Sequence, residues 1–496
     1  MQNLNESLQA KYPHLELAIL PLSQVNKDNE SKRIDSEYFK KEYLENEERL
    51  LNLNCEVLGQ ITEKICNGST PENGEFEKQG IPFFRSQDFD LLDTDPKQYV
   101  TKDFHNALLR SKVKHKDILI AIIGATLGKI GFVKENILEA NINQNIAKVS
   151  IKDEKFNPYF VATFLDTYYG QYQIFRLATQ TAQEYLNNIQ VSKIKIPLFS
   201  KPFQLKIEKL VKQSHEALED SKRLYKEAQE LLYKELELDF KNPLKSLLKS
   251  SLQAKKPSEL AIINDISKKY PHLNISVRPL SKSLHKSGRL DSEYYQSKYD
   301  LMETKIKDYK GGYCKLQNLV LNYSSGFAFS SDDYLENGDL ALIRINNIKN
   351  ADLDMSNAVY LKKQCEKLSP KDKVKQGNIL ISMSGSIGLS CLIKENIEAM
   401  TNQRILKISI KDFSGDVLVL LLNSIFCKLQ FERIGTGGVQ TNISSNDILN
   451  ILIPKINPAT QEQIALKIQK SFTLRTKSKD LLQNAKMRLE NAIENG

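Results

Sequence analysis

The sequence predicts an α+β protein. Two mixed α/β domains with curved sheets are separated by two long helices, which pair as an antiparallel coiled coil and relate the halves by a pseudo-twofold internal repeat. Three observations predict this. Most of the 496 residues are written twice, short strand-like apolar runs alternate with helical segments in each copy, and each copy ends in a helix with heptad spacing.

The repeat is read directly. Lys11-Tyr12-Pro13-His14-Leu15 returns as Lys269-Tyr270-Pro271-His272-Leu273, and Arg33-Ile34-Asp35-Ser36-Glu37-Tyr38 as Arg289-Leu290-Asp291-Ser292-Glu293-Tyr294. Lys134-Glu135-Asn136 matches Lys394-Glu395-Asn396, and Ser150-Ile151-Lys152-Asp153 matches Ser409-Ile410-Lys411-Asp412. Two copies of a unit of about 250 residues are too few and too large for a solenoid. The predicted organisation is a first domain with a helical lead (1–200), a central helix (201–250), a second domain with its own lead (251–457) and a distal helix (458–496). Ser251-Leu252-Gln253-Ala254-Lys255 repeats Ser7-Leu8-Gln9-Ala10-Lys11, so the second copy begins near 251, with Lys256 to Lys269 inserted.

Within each copy the lead ends in Tyr- and Lys-rich helical sequence around Asp-Ser-Glu-Tyr. Strand signals follow, at Asp117 to Ile123 and Ile146 to Ile151 in the first copy and at Gly377 to Met383 and Ile405 to Ile410 in the second. Helices are predicted over Pro158 to Tyr172 and Asp416 to Glu432. In the central helix Ile207, Val211, Ser214, Leu218, Ser221, Tyr225, Ala228 and Leu232 are spaced alternately by four and three, the a/d pattern of a coiled coil. Ile464, Ile468, Ser471, Arg475, Ser478, Leu482, Ala485 and Leu489 repeat it, Arg475 breaking the seam. Serine and alanine keep this seam thin, which favours close approach of two helices. Asp239 to Pro243 ends the central helix.

The formal charge of +9 suits a polyanionic partner, although charge speaks to association and not to fold. The six cysteines include no Cys-x-x-Cys pair and read as small buried residues in a reducing cytoplasm. The start, Met1 to Glu6, carries no signal-peptide pattern, and the longest apolar runs are of strand length, so no membrane partner is expected. None of the six histidines has metal-ligand spacing, so no metal is expected.

Two enzyme-like motifs fail on inspection. Gly124-Ala125-Thr126-Leu127-Gly128-Lys129-Ile130 has three residues between its glycines where a phosphate loop has four, and Ile where that loop needs Ser or Thr. Its counterpart has Leu389 in place of the lysine, so the segment reads as a tight turn between strands. Asn157-Pro158-Tyr159-Phe160 lacks the second proline of an amino-methyltransferase motif and reads as a helix start. No catalytic or cofactor-binding residue is assigned to this chain.

A glycine- and serine-rich turn follows a hydrophobic strand in each copy: Ile123 to Gly131, and Met383 to Gly388. An Asn-Gln step comes next (Asn143-Gln144-Asn145, Asn402-Gln403-Arg404), then a polar run into Ile-Pro, beginning at Gln180 and Gly437. In this order, twice, with a heptad helix after each, the chain resembles the specificity (S) subunits of Type I restriction-modification systems, the HsdS family. The resemblance implies two target-recognition domains, each reading one half of a bipartite asymmetric double-stranded DNA site, with the helix pair setting the spacer. It implies two methyltransferase subunits using S-adenosylmethionine and two restriction/translocase subunits using ATP and Mg. The Asp-Ser-Glu-Tyr leads are similar to sequence in fused Type IIG and Type IIB specificity modules, which keeps that system type as an alternative. In another class, the rival is a duplicated-domain methyltransferase or NTPase.

Base edges are read by Arg and Lys at guanine, Asn and Gln at adenine, and Ser and Thr at several bases. Candidates of these types at turns are Arg85, Ser86, Gln87, Thr126, Lys129, Gln144, Asn145, Thr181 and Gln183 in the first copy. In the second they are Arg344, Asn346, Asn347, Ser384, Ser386, Gln403, Arg404, Gln440 and Thr441. Matching positions are expected to shape the fold or hold phosphate. Differing ones, such as Lys129 against Leu389 and Asn145 against Arg404, are expected to distinguish the half-sites. Lys112, Lys114, Lys116, Lys371, Lys373 and Lys375 precede strands in both copies, as phosphate contacts or a solvated face.

Overall fold

A computed structural model describes residues 2–15, 17–26, 29, 32–71, 76–179, 183–251, 269–270, 280, 283, 288–435 and 442–495. The chain divides into two compact units, Met1–Ser221 with Thr473–Gly496, and Lys222–Phe472. Unit 1 holds α1 (Lys41–Leu51), strands β1 (Cys55–Val57), β2 (Cys66–Asn67), β3 (Ile81–Phe84), β4 (Gln98–Val100), β5 (Ile118–Ala121), β6 (Ile130–Phe132), β7 (Asn141–Ile142) and β8 (Ile146–Val149), then α2 (Pro158–Leu165), α3 (Tyr168–Leu177) and β9 (Lys195–Pro197). The central helix α4 (Lys201–Glu235) belongs to unit 1 as far as Ser221. The strands form sheets in the orders β2-β8-β5-β6, β4-β3-β7 and β1-β9.

Unit 2 repeats the plan with α5 (Pro243–Ser251), α6 (Ser297–Lys307), β10 (Tyr313–Lys315), β11 (Val320–Ser324), β12 (Tyr334–Leu335), β13 (Leu340–Ile343), β14 (Val359–Leu361), β15 (Ile379–Ser382), β16 (Ser390–Leu392), β17 (Ala399–Thr401), β18 (Ile405–Ile410), α7 (Gly415–Leu422), α8 (Ile425–Gly435) and β19 (Leu452–Pro454). Its sheets run β11-β18-β15-β16, β12-β14-β13-β17 and β10-β19. β3 pairs parallel with β7, and β13 with β17; the other ladders are antiparallel.

The central strands read as continuous apolar runs because both faces are covered. Ile118 and Ile120 of β5 enter a core with α2 and α3, while Leu119 and Ala121 enter a second core with Phe84, Phe89 and Ile142. Ile379 and Ile381 of β15 face the helical core of unit 2, and Leu380 faces the other side with Ile343 and Ile405. Each such fully buried side chain contributes about 1.5–3 kcal/mol.

The helix predicted over Pro158 to Tyr172 is two helices. Asn157 caps α2 by accepting from the Tyr159 and Phe160 amides, with Pro158 in its first turn, so Asn157-Pro158-Tyr159-Phe160 is a helix start. The chain then breaks at Thr167, whose Oγ1 donates to Phe164 O and caps α3. The break from α7 to α8 is equivalent, with Ser424 Oγ donating to Leu421 O. The Asp-Ser-Glu-Tyr motif is not helical. Asp35 and Asp291 each accept the amide three residues on, at 3.1 and 3.0 Å, and fold the motif into a turn before α1 and α6.

The heptad reading holds on both helices. In unit 1 the first part of α4 meets the second part of the distal helix α9 (Pro458–Glu494), sharing a core through Ile207, Val211, Leu482, Ala485 and Leu489. In unit 2 the rest of α4 meets the start of α9 through Ala228, Leu232, Ile464 and Ile468. Each unit thus pairs the two helices antiparallel. Arg475 is half-buried, while Ser214, Ser221, Ser471 and Ser478 are fully buried. α4 ends in a turn in which Leu238 N donates to Tyr233 O and Glu237 adopts φ +54°, and Pro243 starts the next helix. The insertion after Lys255 lies almost wholly outside the described residues. Among the described residues no helix is long and apolar enough to cross a membrane, and no cluster of His, Cys, Asp and Glu could hold a metal ion.

Candidate nucleic-acid interface

In unit 1 backbone hydrogen bonds gather four polar segments at one end of the sheets. Asn143 N donates to Phe84 O (3.0 Å), Ile122 N to Asn145 O (3.0 Å), and Leu186 N to Ile122 O (2.8 Å). These bonds tie the loop after β3, the turn after β5, the Asn-Gln step and the run before Ile-Pro into one edge. Unit 2 has the same ladder: Asn402 N to Ile343 O (2.9 Å), Met383 N to Arg404 O (2.9 Å) and Ile443 N to Met383 O (3.0 Å). Three candidates, Thr181, Gln440 and Thr441, lie outside the described residues. The rest fall on these two edges.

The glycine turn joins antiparallel β5 and β6, with Gly128 N donating to Ala121 O and Gly124 and Gly128 at φ +64° and +84°. It is a hairpin turn, as read from the sequence. Gly385 and Gly388 serve β15 and β16 at φ +67° and +80°. Lys129, Gln144, Gln87 and Gln183 are exposed on the first edge, and Asn346, Ser386, Gln403 and Arg404 on the second. Thr126 and Asn145 are half-buried, and Thr126 Oγ1 donates to Ile123 O.

Other candidates are committed to holding loops. Ser86, Asn347 and Ser384 are buried. Asn347 Nδ2 donates to Asp354 O, and its Oδ1 accepts from Arg344 N. Arg85 forks onto Asp88 at 2.8 and 3.0 Å within its own turn, and Arg344 donates to Asn357 O. Arg404 is exposed at φ +68° and donates to Asn442 Oδ1 at 2.9 Å.

Sequence reasoning missed the segment that closes each edge. A Cβ on Gly68 would lie 1.6 Å from Ile142 O, and one on Gly326 1.9 Å from Asn402 O, so only glycine lets these backbones approach. They place Thr70 beside Gln144, and Phe327 O to accept from Gln403 N. The available signal was a glycine following a short polar strand in both copies. Sequence reasoning also missed Lys148 and Lys407, each in mid-strand. Lys148 Nζ donates to Lys112 O (2.8 Å) and Lys407 Nζ to the Lys371 and Lys373 carbonyls, so each holds the preceding lysine stretch in place. Burial pushes the Lys407 amine below the ordinary lysine range. Lys373 is engaged by Glu366 (2.7 Å) and Glu398 (3.1 Å), and Lys114 lies 3.8 Å from Glu63.

Comparison with known proteins bears on this architecture. Residues 317–485 match the model of the Type I restriction modification DNA specificity domain. The chain is 29% identical over 151 residues to the Type I restriction enzyme EcoBI specificity subunit of Escherichia coli, an alignment covering 30% of this chain and 31% of that protein's length. It also aligns with the Type-I restriction-modification system S subunit from M. genitalium (12% identity, 89% of this chain and 95% of that one, TM-score 0.36) and with the HsdS subunit from Thermoanaerobacter tengcongensis (14%, 89% and 95%, TM-score 0.26). The residues similar to the DNA specificity domain cover the second copy from residue 317 and run into α9. The chain is thus similar to Type I specificity subunits over part of its length, and spans about a third of the curated relative it matches.

Proposed function

We propose that this chain is the DNA-recognition subunit of a Type I-like restriction-modification complex, itself without catalysis, and that each unit reads one half of a bipartite asymmetric site. The observation that carries this reading is the shared backbone ladder. It presents polar side chains from the same four segments in both units, yet the side chains differ, with Lys129 against Leu389 and Asn145 against Arg404. A common scaffold with divergent donors and acceptors is what two different half-sites need. The first copy, outside the matched residues 317–485, shares this backbone geometry with the second, which supports the same role for both. The enzyme rival loses its two motifs to a hairpin turn and a helix start, and the matched domain is the Type I one.

On this reading two methyltransferase subunits bring S-adenosylmethionine and modify a base turned out of the duplex, expected to be adenine. Two restriction/translocase subunits supply the chemistry that uses ATP and Mg. The complex works in the cytoplasm, and the paired helices set the spacer.

Selection of bound duplexes from a random library, with the methyltransferase subunit present, tests this. The expected result is two short specific elements at a fixed separation, with affinity falling steeply as salt rises. A single contiguous motif, or binding without sequence preference, overturns it.

A further inference from the structure

The Asn-Gln step is kept between the copies, but the side chain beside its glutamine is not. Ser69 N donates to Ile142 O and Phe327 N to Thr401 O, each at 3.2 Å, and these carbonyls belong to the residues directly before Asn143 and Asn402. The bonds set the closing segments of the two edges in the same register, so Ser69 matches Phe327 and the next residue, Thr70, matches Ala328. Thr70 Oγ1 donates to Gln144 Oε1, and Asn67 Nδ2 donates to Gln144 O at 3.1 Å. Ala328 has no hydroxyl, and among the described residues no side-chain hydrogen bond holds the Gln403 amide. All four of Thr70, Gln144, Ala328 and Gln403 are exposed.

A glutamine amide carries a carbonyl that accepts and an NH2 that donates, and a half-turn about its last bond exchanges the two. Left free, it meets adenine with the carbonyl toward N6–H and the NH2 toward N7. Turned over, it offers its NH2 where guanine has O6, so one residue serves more than one base. The bond from Thr70 fixes which end of the Gln144 amide is oxygen. It leaves one lone pair on Oε1 and both Nε2 hydrogens, an acceptor and a donor in fixed order. Part of the rotamer freedom that a glutamine loses on binding is also lost beforehand. This fixed pair matches adenine and opposes guanine, whose O6 and N7 both accept.

We propose that Thr70 is a positioning residue for DNA readout. It locks the Gln144 amide so that the first edge selects adenine at one position of its half-site, while Gln403, beside Ala328, accepts more than one base. Two glutamines at matching positions then read differently, and part of the difference between the half-sites is written in a residue that touches no base. The inference rests on the function proposed above, which brings a duplex to both edges.

Competition binding by the full chain, with the methyltransferase subunit present and duplexes varied one base pair at a time across the selected site, tests it. Gln144→Ala is expected to abolish the preference at one position and so to locate it. Thr70→Val keeps the side-chain shape and removes the hydroxyl. It is expected to lower the preference for adenine at that position by roughly three- to tenfold, and Thr70→Ser to retain the preference. Ala328→Thr is expected to narrow the choice at the position facing Gln403. Thr70 and Ala328 are exposed, so thermal melts of these variants should match the wild type. A preference unmoved by Thr70→Val, a base other than adenine at the Gln144 position, or a uniform loss across all duplexes overturns the positioning role and leaves the bipartite reading intact. No gain from Ala328→Thr overturns the claim that this pair separates the copies. A wild type without sequence preference overturns the proposed function and this inference with it.

Discussion

Ser214 and Ser478 bond each other's backbones. Ser214 Oγ donates to Ser478 O at 2.7 Å, Ser478 Oγ donates to Ser214 O at 2.7 Å, and the two hydroxyls lie 3.3 Å apart. Both are buried where α4 and α9 meet in unit 1, and the small side chains let the helix backbones come close enough for this exchange. Ser214→Ala removes one buried hydrogen bond and is expected to cost about 1 kcal/mol. Ser214→Leu forces a bulky side chain into the same space and should cost roughly 1–3 kcal/mol more. Urea unfolding of both variants checks the order. Equal stability of wild type and Ser214→Leu would show the seam to be loose at this point.

Two glycines of unit 2 separate backbone strain from packing. Gly377 and Gly388 have nearly the same positive φ, +85° and +80°. A Cβ on Gly377 meets nothing within 4 Å, but one on Gly388 lies 2.1 Å from the Phe431 ring. Gly377→Ala should therefore cost only the conformational term, about 1–2 kcal/mol. Gly388→Ala adds overpacking against α8 and should reach roughly 2–5 kcal/mol. Thermal melts of both variants are the measurement. Gly388→Ala also moves the turn that carries Ser386, so it is expected to weaken DNA binding where Gly377→Ala does not.

His215 makes unit 1 sensitive to mild acid. Its ring is buried against Phe132 and bonds Leu91 O at 2.9 Å. Burial holds its pKa below the ordinary 6.5, the Leu91 carbonyl opposes this, Lys134 lowers it further, and Glu219 and Asp93 raise it. Just below pH 6.5 the unfolded chain binds a proton that the folded chain refuses. Stability therefore falls as pH drops from 6.5 toward the folded value, and recovers above it. His215→Gln should flatten this part of the profile. Denaturation midpoints at pH 7.5 and 5.5 would show it, and an equal drop in wild type and variant would remove His215 as the cause.

The helix seam was legible because its spacing is local, and the repeat supported every position but that of Arg475 against a second copy. The breaks at Thr167 and Ser424 were not, because Pro158 to Tyr172 and Asp416 to Glu432 each read as one mostly apolar helix, and the polar pairs Asp166-Thr167 and Asn423-Ser424 mark the interruption only through their capping hydroxyls. The candidate residues were legible by type and turn context. Their gathering into one edge was not, since it rests on single backbone bonds between distant segments, such as Asn143 to Phe84 and Leu186 to Ile122. Burial removed the freedom of Ser86, Asn347 and Ser384, which composition leaves indistinguishable from Gln87, Asn346 and Ser386. The mid-strand lysines Lys148 and Lys407 broke the apolar pattern in both copies, and that shared break was the unused signal.

Arg404 tests whether the divergence between copies is specificity. It stands where the first copy has Asn145, on an edge of the same backbone geometry, and its guanidinium is steered by Asn442. An arginine that reaches a guanine edge contributes about 1–3 kcal/mol of discrimination, while one that meets only phosphate contributes affinity without preference. Arg404→Ala is expected to weaken the preferred duplex by an amount in this range and to relax the preference at one position of one half-site. The other half-site should keep its sequence. Asn442→Ala, which frees the guanidinium without removing it, should give a smaller loss at the same position. Competition binding with duplexes varied one base pair at a time separates the outcomes. A uniform loss across all duplexes, with the salt dependence reduced, would make Arg404 a phosphate contact and move the code for the second half-site to Gln403, Asn346 and Ser386.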